Sequence, residues 1–175
     1  TDSDGVGNNA DTDDDNDSVL DSDDAFPLDS TETVDTDLDG VGNNADTDDD
    51  GDGVDDDSDA FPLDSTETVD TDLDGVGNNT DTDDDGDGVG DRSDAFPLDS
   101  TESLDTDGDN IGNNADTDDD NDLISDEAEI TLGTDPLDSD SDDDGFTDNI
   151  DTFPLDSSES LDTDGDTIGN NADTD

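Results

Sequence analysis

The sequence predicts an irregular repeat fold of the solenoid type, with very little regular secondary structure. Three observations predict this fold class. The chain repeats itself with a period of 35 residues, only 22% of its residues are hydrophobic, and acidic residues recur at fixed spacings. A chain with so few apolar residues cannot build the hydrophobic core that stabilises a globular domain. Any order must therefore come from the acidic positions.

The charge of the chain limits its partners. There are 64 Asp and Glu residues against one Lys or Arg, and the formal net charge is −63. This charge argues against nucleic acid and anionic membrane surfaces as partners, and no apolar segment is long enough for membrane insertion. The chain contains neither Cys nor His, so disulfides, zinc–thiolate sites and the usual transition-metal ligands are missing. Cations remain as the ligands that such a chain can bind.

The repeat indicates a single array over residues 1–175, divided into units of similar sequence. The units are 1–35, 36–70, 71–105, 106–162 and a partial unit, 163–175. The fourth unit is longer because it carries an extra linker and an extra twelve-residue loop, together residues 130–151. The last loop is cut at Asp175, so we expect either an excerpt of a longer repetitive chain or ends that a neighbouring molecule completes.

Within each unit, oxygen-bearing side chains occupy positions 1, 3, 5, 9 and 12 of twelve-residue segments. In residues 48–59 these positions hold five aspartates, position 6 is Gly53, and Val54 at position 7 can offer only its backbone carbonyl. Calcium takes six to eight oxygen ligands, and glycine allows the sharp turn that brings the later ligands back. The smaller, octahedral Mg²⁺ fits this ligand number poorly. The spacing therefore predicts a calcium-stabilised fold with at least one Ca²⁺ in each complete loop.

The predicted metal ligands form two families of loops, which differ at position 9. Loops with an acidic position 9, the Asp-type loops, contain Asp13, Asp15, Asp17, Val19, Asp21, Asp24; Asp48, Asp50, Asp52, Val54, Asp56, Asp59; Asp83, Asp85, Asp87, Val89, Asp91, Asp94; Asp118, Asp120, Asp122, Ile124, Asp126, Glu129; and Asp140, Asp142, Asp144, Phe146, Asp148, Asp151. Loops with asparagine there, the Asn-type loops, contain Asp35, Asp37, Asp39, Val41, Asn43, Asp46; Asp70, Asp72, Asp74, Val76, Asn78, Asp81; Asp105, Asp107, Asp109, Ile111, Asn113, Asp116; and Asp162, Asp164, Asp166, Ile168, Asn170, Asp173. A further loop lacks its first ligand and retains Asp2, Asp4, Asn8 and Asp11. Nine loops in phase are much stronger evidence for calcium than one acidic segment would be.

These loops resemble thrombospondin type 3 repeats over the whole chain. The resemblance is carried by DTDDDGDGVGD (81–91) and its copies, in which an apolar residue directly follows the position-6 glycine. EF-hand and dockerin loops place that apolar residue one position later and are flanked by helices. The resemblance implies an extracellular assembly with little regular secondary structure, wrapped around a line of calcium ions.

The chain departs from the animal members of this family, which carry cysteines near the loop ends, including a Cys-Pro just after position 12. Phe-Pro stands in that place here, as at Phe61-Pro62, so the chain is similar to a cysteine-free bacterial branch. We predict that each Phe-Pro packs on the Val and Ala of the adjoining loop. We also predict at most one short helix, near residues 125–133 and ended by Gly133.

No catalytic constellation is present, because the chain has no nucleophile–base pair and no apolar pocket that would tune a carboxylate, so we do not expect an enzyme. The leading interpretation is a calcium-rigidified stalk or spacer of a secreted or cell-surface protein of the adhesion or matrix type. One alternative is the repeating body of an extracellular filament, formed by self-association, with glycans on the linker Ser and Thr residues. Another is a calcium buffer or mineral-binding surface.

Further calcium ions are expected between the loops. Nine doubly charged ions would offset only 18 of the 63 negative charges. Carboxylates outside the loop ligand set, such as Asp57, Asp64 and Glu67, are candidates to share these additional ions.

Overall fold

The computed structural model describes residues 5–174, and within them the chain forms one short α-helix and no β-strand. The predicted irregular repeat fold is therefore confirmed. The chain divides into two compact units, Thr1–Asp84 and Asp85–Asp175, each built mainly from loops and turns. No helix in the described part of the chain has the length and apolar character that a membrane span requires. The candidate ligands Asp2 and Asp4 lie outside the described residues.

The helix, α1, spans Asp126–Leu132 and lies within the segment that the sequence predicted. It ends because Gly133 adopts a left-handed conformation with φ 92°, and the N–H of Gly133 donates to the carbonyl of Glu129 at 2.6 Å. Acidic residues fill its first turn, where the helix dipole favours negative charge. Because α1 begins at position 9 of the loop 118–129, it carries the position-12 residue, Glu129, into the interior of the second unit.

The residues that the fold buries are polar, and nearly all of them are acidic. No apolar side chain between residues 5 and 174 is buried. The buried polar residues are Glu32, Asp50, Glu67, Asp85, Asp94, Glu102, Asp119, Asp122, Glu129, Thr134, Asp148 and Glu159. This reverses the usual distribution, in which Asp and Glu are almost never fully buried unless they are paired. The four linker phenylalanines that precede proline are only half-buried, so they do not form a core.

Each complete loop turns sharply at two places, positions 4 and 6, where the backbone φ is positive. The sequence predicted the turn at position 6, where Gly53 has φ 98°, but not the turn at position 4. Position 4 is glycine in some loops, yet Leu38 and Leu73 occupy it with φ of 67° and 65°. A left-handed conformation costs a residue with a side chain roughly 1–2 kcal/mol, so other interactions in the loop must offset this strain.

The linker after each regular Asp-type loop folds back on itself through backbone hydrogen bonds. In the linker that follows the loop 48–59, the N–H of Asp64 donates to the carbonyl of Phe61 at 2.9 Å. This bond closes a turn with Pro62 at its second position. The N–H of Ala60 then donates to the carbonyl of Thr68 at 3.1 Å. These bonds bring the end of the linker to the start of the next loop.

A buried glutamate joins each of these linkers to the Asn-type loop that follows it. Glu67 is 5% exposed, and its Oε2 accepts the N–H of Asn79 at 3.0 Å. The carboxylate lies directly over Gly77, where a Cβ would come within 2.7 Å of the Glu67 Cγ. We call this contact, in which a buried glutamate carboxylate lies over a glycine, the glutamate seat. It recurs as Glu32 over Gly42, Glu102 over Gly112 and Glu159 over Gly169. The sequence suggested Glu67 only as a ligand of a shared ion and did not predict this packing role.

Candidate metal centre

The loop 48–59 shows how the structure orients the predicted ligands. Each aspartate at positions 1, 3, 5 and 12 uses one carboxylate oxygen to accept a backbone N–H. The four bonds are Gly53 N–H to Asp48 Oδ2 (3.1 Å), Asp52 N–H to Asp50 Oδ1 (3.2 Å), Val54 N–H to Asp52 Oδ1 (2.8 Å) and Phe61 N–H to Asp59 Oδ1 (2.7 Å). These hydrogen bonds fix the direction of the remaining oxygens, as the outer-shell partners of metal ligands do.

Three of these remaining oxygens are buried without a hydrogen-bond partner. They are Asp48 Oδ1, Asp50 Oδ2 and Asp59 Oδ2. Ligand oxygens of Asp48, Asp50 and Asp52 lie within 4.8 Å of one another. Buried carboxylate oxygens that lack partners oppose folding, and like charges at this distance repel. A divalent cation between them would remove both penalties, so the residues present fit a hard, oxygen-seeking ion such as calcium.

The same arrangement recurs along the chain. Among residues 5–174, nine groups of at least three carboxylates bring ligand oxygens within 4.8 Å of one another. In the first compact unit these groups include Asp13, Asp15 and Asp17; Asp35, Asp37 and Asp39; and Asp70, Asp72 and Asp74. The structure therefore brings positions 1, 3 and 5 of these predicted loops together.

The pKa of the position-3 aspartate is raised by burial and by the charges of its neighbours, which include the position-12 carboxylate. Burial raises the pKa of Asp50, and the charges of Asp52, Asp59 and Asp48 raise it further. Burial likewise raises the pKa of Asp142, and the charge of the position-12 residue Asp151 contributes. Position 3 is thus surrounded by the other acidic positions, so its ionised form is disfavoured unless a cation is bound.

Position 9 closes the loop in the structure. The carboxylate of Asp56 accepts the N–H of Asp49 at 2.9 Å, and the N–H of Asp56 donates to the carbonyl of Thr47, also at 2.9 Å. In the Asn-type loop, the side-chain carbonyl of Asn43 accepts the N–H of Thr36 at 3.0 Å, and its amide donates to the Thr36 hydroxyl at 2.7 Å. These bonds hold the two ends of each loop together. A ligand role for position 9 remains a prediction.

An acidic residue at position 2 is a further candidate that the sequence analysis missed. Asp14, Asp49 and Asp119 occupy this position, and each has a buried Oδ1 without a hydrogen-bond partner. Burial raises the pKa of Asp49, followed by the charges of Asp56 and of Asp46, the last residue of the preceding loop. The signal in the sequence was the run of three aspartates in DTDDD. The alternating ligand pattern uses only the first and third aspartates of this run, at positions 1 and 3, and passes over the second.

The three residues suggested as ligands of shared ions differ in exposure. Asp57 and Asp64 are exposed, and Asp64 accepts both the N–H and the hydroxyl of Thr66. Glu67 is buried, and its Oε1 has no hydrogen-bond partner. Of the three, only Glu67 has the unsatisfied buried oxygen that is found at positions 1, 3 and 12 of the loop 48–59.

Comparison with known proteins agrees with this geometry. Residues 69–102 match the family model of the thrombospondin type 3 repeat. No curated protein matches the chain. The matched stretch contains the Asn-type loop 70–81, the Asp-type loop 83–94 and the linker up to Glu102. Residues 69–102 are therefore a thrombospondin type 3 repeat, a calcium-binding and structural type of repeat, as the sequence predicted.

Proposed function

We propose that this chain is a calcium-rigidified stalk or spacer of a secreted or cell-surface protein. One observation carries the proposal: among residues 5–174 nearly all buried side chains are carboxylates, many with an unpartnered oxygen, and none is apolar. Without a cation these groups oppose the folded form. With a cation bound, the binding free energy becomes folding free energy.

Calcium is the cation that this ligand set favours. The loops offer carboxylates and backbone carbonyls in a number that suits six to eight ligands, and no described hydrogen bond ends on the carbonyl of Val54 at position 7. Calcium sites in extracellular modules are typically filled at about 10⁻⁴–10⁻³ M, a concentration range found outside cells. The array would therefore be stiff outside cells and soft where calcium is scarce.

The number of bound ions should exceed one per loop. We assign one ion to the ligands at positions 1, 3, 5, 7, 9 and 12 of each complete loop. Additional ions would lie between loops, where buried oxygens of the position-2 aspartates and of Glu67 have no hydrogen-bond partner. The additional ions would reduce the repulsion among the carboxylates whose negative charge nine calcium ions do not offset.

A calcium titration followed by X-ray scattering and circular dichroism tests the proposal. We expect calcium to convert an expanded chain into one of defined dimensions, with magnesium much less effective. A calcium buffer would change its dimensions little on binding. The proposal fails if the protein keeps the same scattering curve and the same resistance to protease after exhaustive EGTA treatment.

A filament is the second candidate, and one observation favours it. Leu28, Leu63 and Leu98 occupy the same place in three successive linkers and are 62–65% exposed. Regularly spaced apolar side chains of this kind suit contacts between chains. Sedimentation in calcium at increasing protein concentration separates the two candidates, since a spacer stays monomeric and a filament-forming chain assembles. Replacement of the three leucines by serine should abolish any such assembly.

A further inference from the structure

The extra linker of the fourth unit differs from the regular linkers at the residue before its proline. Four of the five prolines follow phenylalanine, whereas Pro136 follows Asp135. The turn itself is conserved between the two kinds of linker. The N–H of Asp138 donates to the carbonyl of Asp135 at 3.0 Å, which corresponds to the bond between Asp64 and Phe61 in a regular linker. The chain therefore contains a single Asp–Pro peptide bond, in a turn that it otherwise builds with phenylalanine.

The turn holds the side chain of Asp135 in a fixed arrangement. Asp135 Oδ1 accepts the N–H of Leu137 at 3.2 Å, and the residue is exposed to water. No hydrogen bond among the described residues ends on Asp135 Oδ2. Asparagine or serine can start such a turn as well as aspartate can, so the turn alone does not require a negative charge. What aspartate adds at this position is an exposed nucleophile.

The other acidic groups around the turn are bonded to their own neighbours. Asp138 Oδ1 accepts a backbone N–H two residues further on at 3.3 Å. The hydroxyl of Ser141 accepts the N–H of Asp135 at 2.8 Å and donates to Asp148 Oδ2 at 2.6 Å. On α1, Glu129 Oε1 accepts the hydroxyl of the residue before Asp135 at 3.4 Å. None of these bonds involves the carboxylate of Asp135, which is left available to the adjacent peptide bond.

We propose that Asp135 is a self-cleavage site, at which its carboxylate cuts the bond to Pro136 in mild acid. A carboxylate oxygen of Asp135 adds to the main-chain carbonyl carbon of the same residue and forms a cyclic anhydride. The C–N bond to Pro136 breaks, and its electron pair stays on the proline nitrogen, which takes up a proton from the solvent and leaves as a secondary amine. Water then opens the anhydride. The products are a C-terminal Asp135 and an N-terminal Pro136, and one water molecule is consumed.

Three properties favour this reaction at Asp135 over the other aspartates. The nucleophile and the carbonyl belong to one residue held in a turn, and such proximity greatly raises the rate of an intramolecular reaction. Proline has no backbone N–H, so the competing attack of that nitrogen on the aspartate side chain, which consumes other Asp-containing sequences, cannot occur. The N–H of Asp138 already bonds to the carbonyl oxygen, where it would stabilise the negative charge that develops during the attack.

The cut falls between two predicted metal loops and not inside one. Asp135 lies after the loop 118–129 and before the loop 140–151. The fragments 1–135 and 136–175 would each keep the ligand sets of their own loops whole. The extra linker therefore supplies a point at which acid divides the array and leaves its calcium loops intact, a property that goes beyond the proposed stalk.

The test follows the intact mass of the full chain in mild acid, at about pH 4, where many aspartate side chains are still ionised. We expect two fragments, 1–135 and 136–175, whose masses sum to that of the chain plus one water. Asp135→Asn keeps an oxygen for the N–H of Leu137 but lacks the carboxylate, so cleavage should slow by about a hundredfold or more. Phe61→Asp places the same dipeptide in a regular linker turn, so it should add a second cut at the equivalent bond.

Three results would overturn the proposal. In the first, the wild type and Asp135→Asn are cut after residue 135 at the same rate, or neither is cut, so the carboxylate is not the nucleophile. In the second, cleavage of the wild type is spread evenly over its many other Asp-containing bonds. In the third, Pro136→Ala, which restores an N–H after the aspartate, is cut as fast as the wild type. None of these results depends on whether the loops bind calcium.

Discussion

Replacement of Gly77 by alanine should displace Glu67 from its seat. A Cβ at residue 77 would overlap the carboxylate of Glu67 and lie 2.7 Å from its Cγ, so the side chain would have to move. Its Oε2 would then lose the 3.0 Å hydrogen bond from the N–H of Asn79. A hydrogen bond to a charged group contributes roughly 1.5–3 kcal/mol, and overpacking costs about 1–3 kcal/mol. We expect a local destabilisation of about 3 kcal/mol, or roughly a hundredfold in the equilibrium for local opening.

Hydrogen exchange of the Asn79 amide at saturating calcium measures this effect directly, because that N–H is the donor lost. Gly7 provides a matched control, since it occupies the same loop position and a Cβ there would meet nothing within 4 Å. Gly7→Ala should leave the exchange of Asn79 unchanged. Glu67→Ala removes the obstacle, so adding Gly77→Ala to that variant should cause little further loss.

Two results would contradict the proposed role of the seat. In one, Gly77→Ala would keep the Asn79 amide as protected as in the wild type, which would mean that the carboxylate does not lie over the glycine. In the other, Gly77→Ala would be as destabilising in the Glu67→Ala background as in the wild type. The loss would then arise from the alanine itself and not from the displaced glutamate.

Three further predictions concern single positions and pH. Leu123 has φ 80°, and its side chain is 79% exposed. Leu123→Gly should relieve roughly 1 kcal/mol of backbone strain and strengthen calcium binding by its loop about fivefold in a calcium titration. Asp50→Asn should remove one ion from the bound calcium counted by equilibrium dialysis, because Asp50 Oδ2 is buried and unpartnered, whereas replacement of the exposed Asp55 by asparagine should remove none. Without calcium, burial and neighbouring carboxylates raise the pKa values of Glu129 and Asp120 to about 7 and about 6, so the folded form binds more protons than the unfolded form. These groups therefore favour the calcium-free folded form at acid pH, and this contribution is lost as the pH rises from about 4 to about 7. X-ray scattering of the calcium-free chain should show compaction on acidification. An unchanged scattering curve would contradict this pH dependence.

The sequence predicted those features that depend on local spacing. A twelve-residue loop is short, so the positions of its carboxylates largely determine which oxygens can converge, as in the cluster of Asp48, Asp50 and Asp52. The helix was also predictable, because Gly133 provides a local stop signal and takes the left-handed conformation that this signal implies. Both features are set within about a dozen residues.

The features that the sequence did not predict depend on contacts between separate segments. Glu67 reaches twelve residues along the chain to the N–H of Asn79, and Asn149 reaches 27 residues back to Asp122. The sequence predicted that Phe61 packs on the adjoining loop. Phe61 is only half-buried, however, and Glu67 is the linker residue that is buried. The left-handed leucine at position 4 was hidden for another reason, because leucine rarely adopts this conformation and gives no signal for it.

The absence of buried apolar side chains among residues 5–174 has a consequence for how the protein responds to temperature. Unfolding of a typical domain raises the heat capacity by about 12–15 cal/mol/K per residue, because newly exposed apolar surface outweighs exposed polar surface. Here the newly exposed surface would be mostly polar, so the heat capacity change should be small or even negative. The free energy of unfolding of the calcium-loaded chain should then vary almost linearly with temperature. On cooling, the chain should stay folded at temperatures where proteins with a hydrophobic core lose stability.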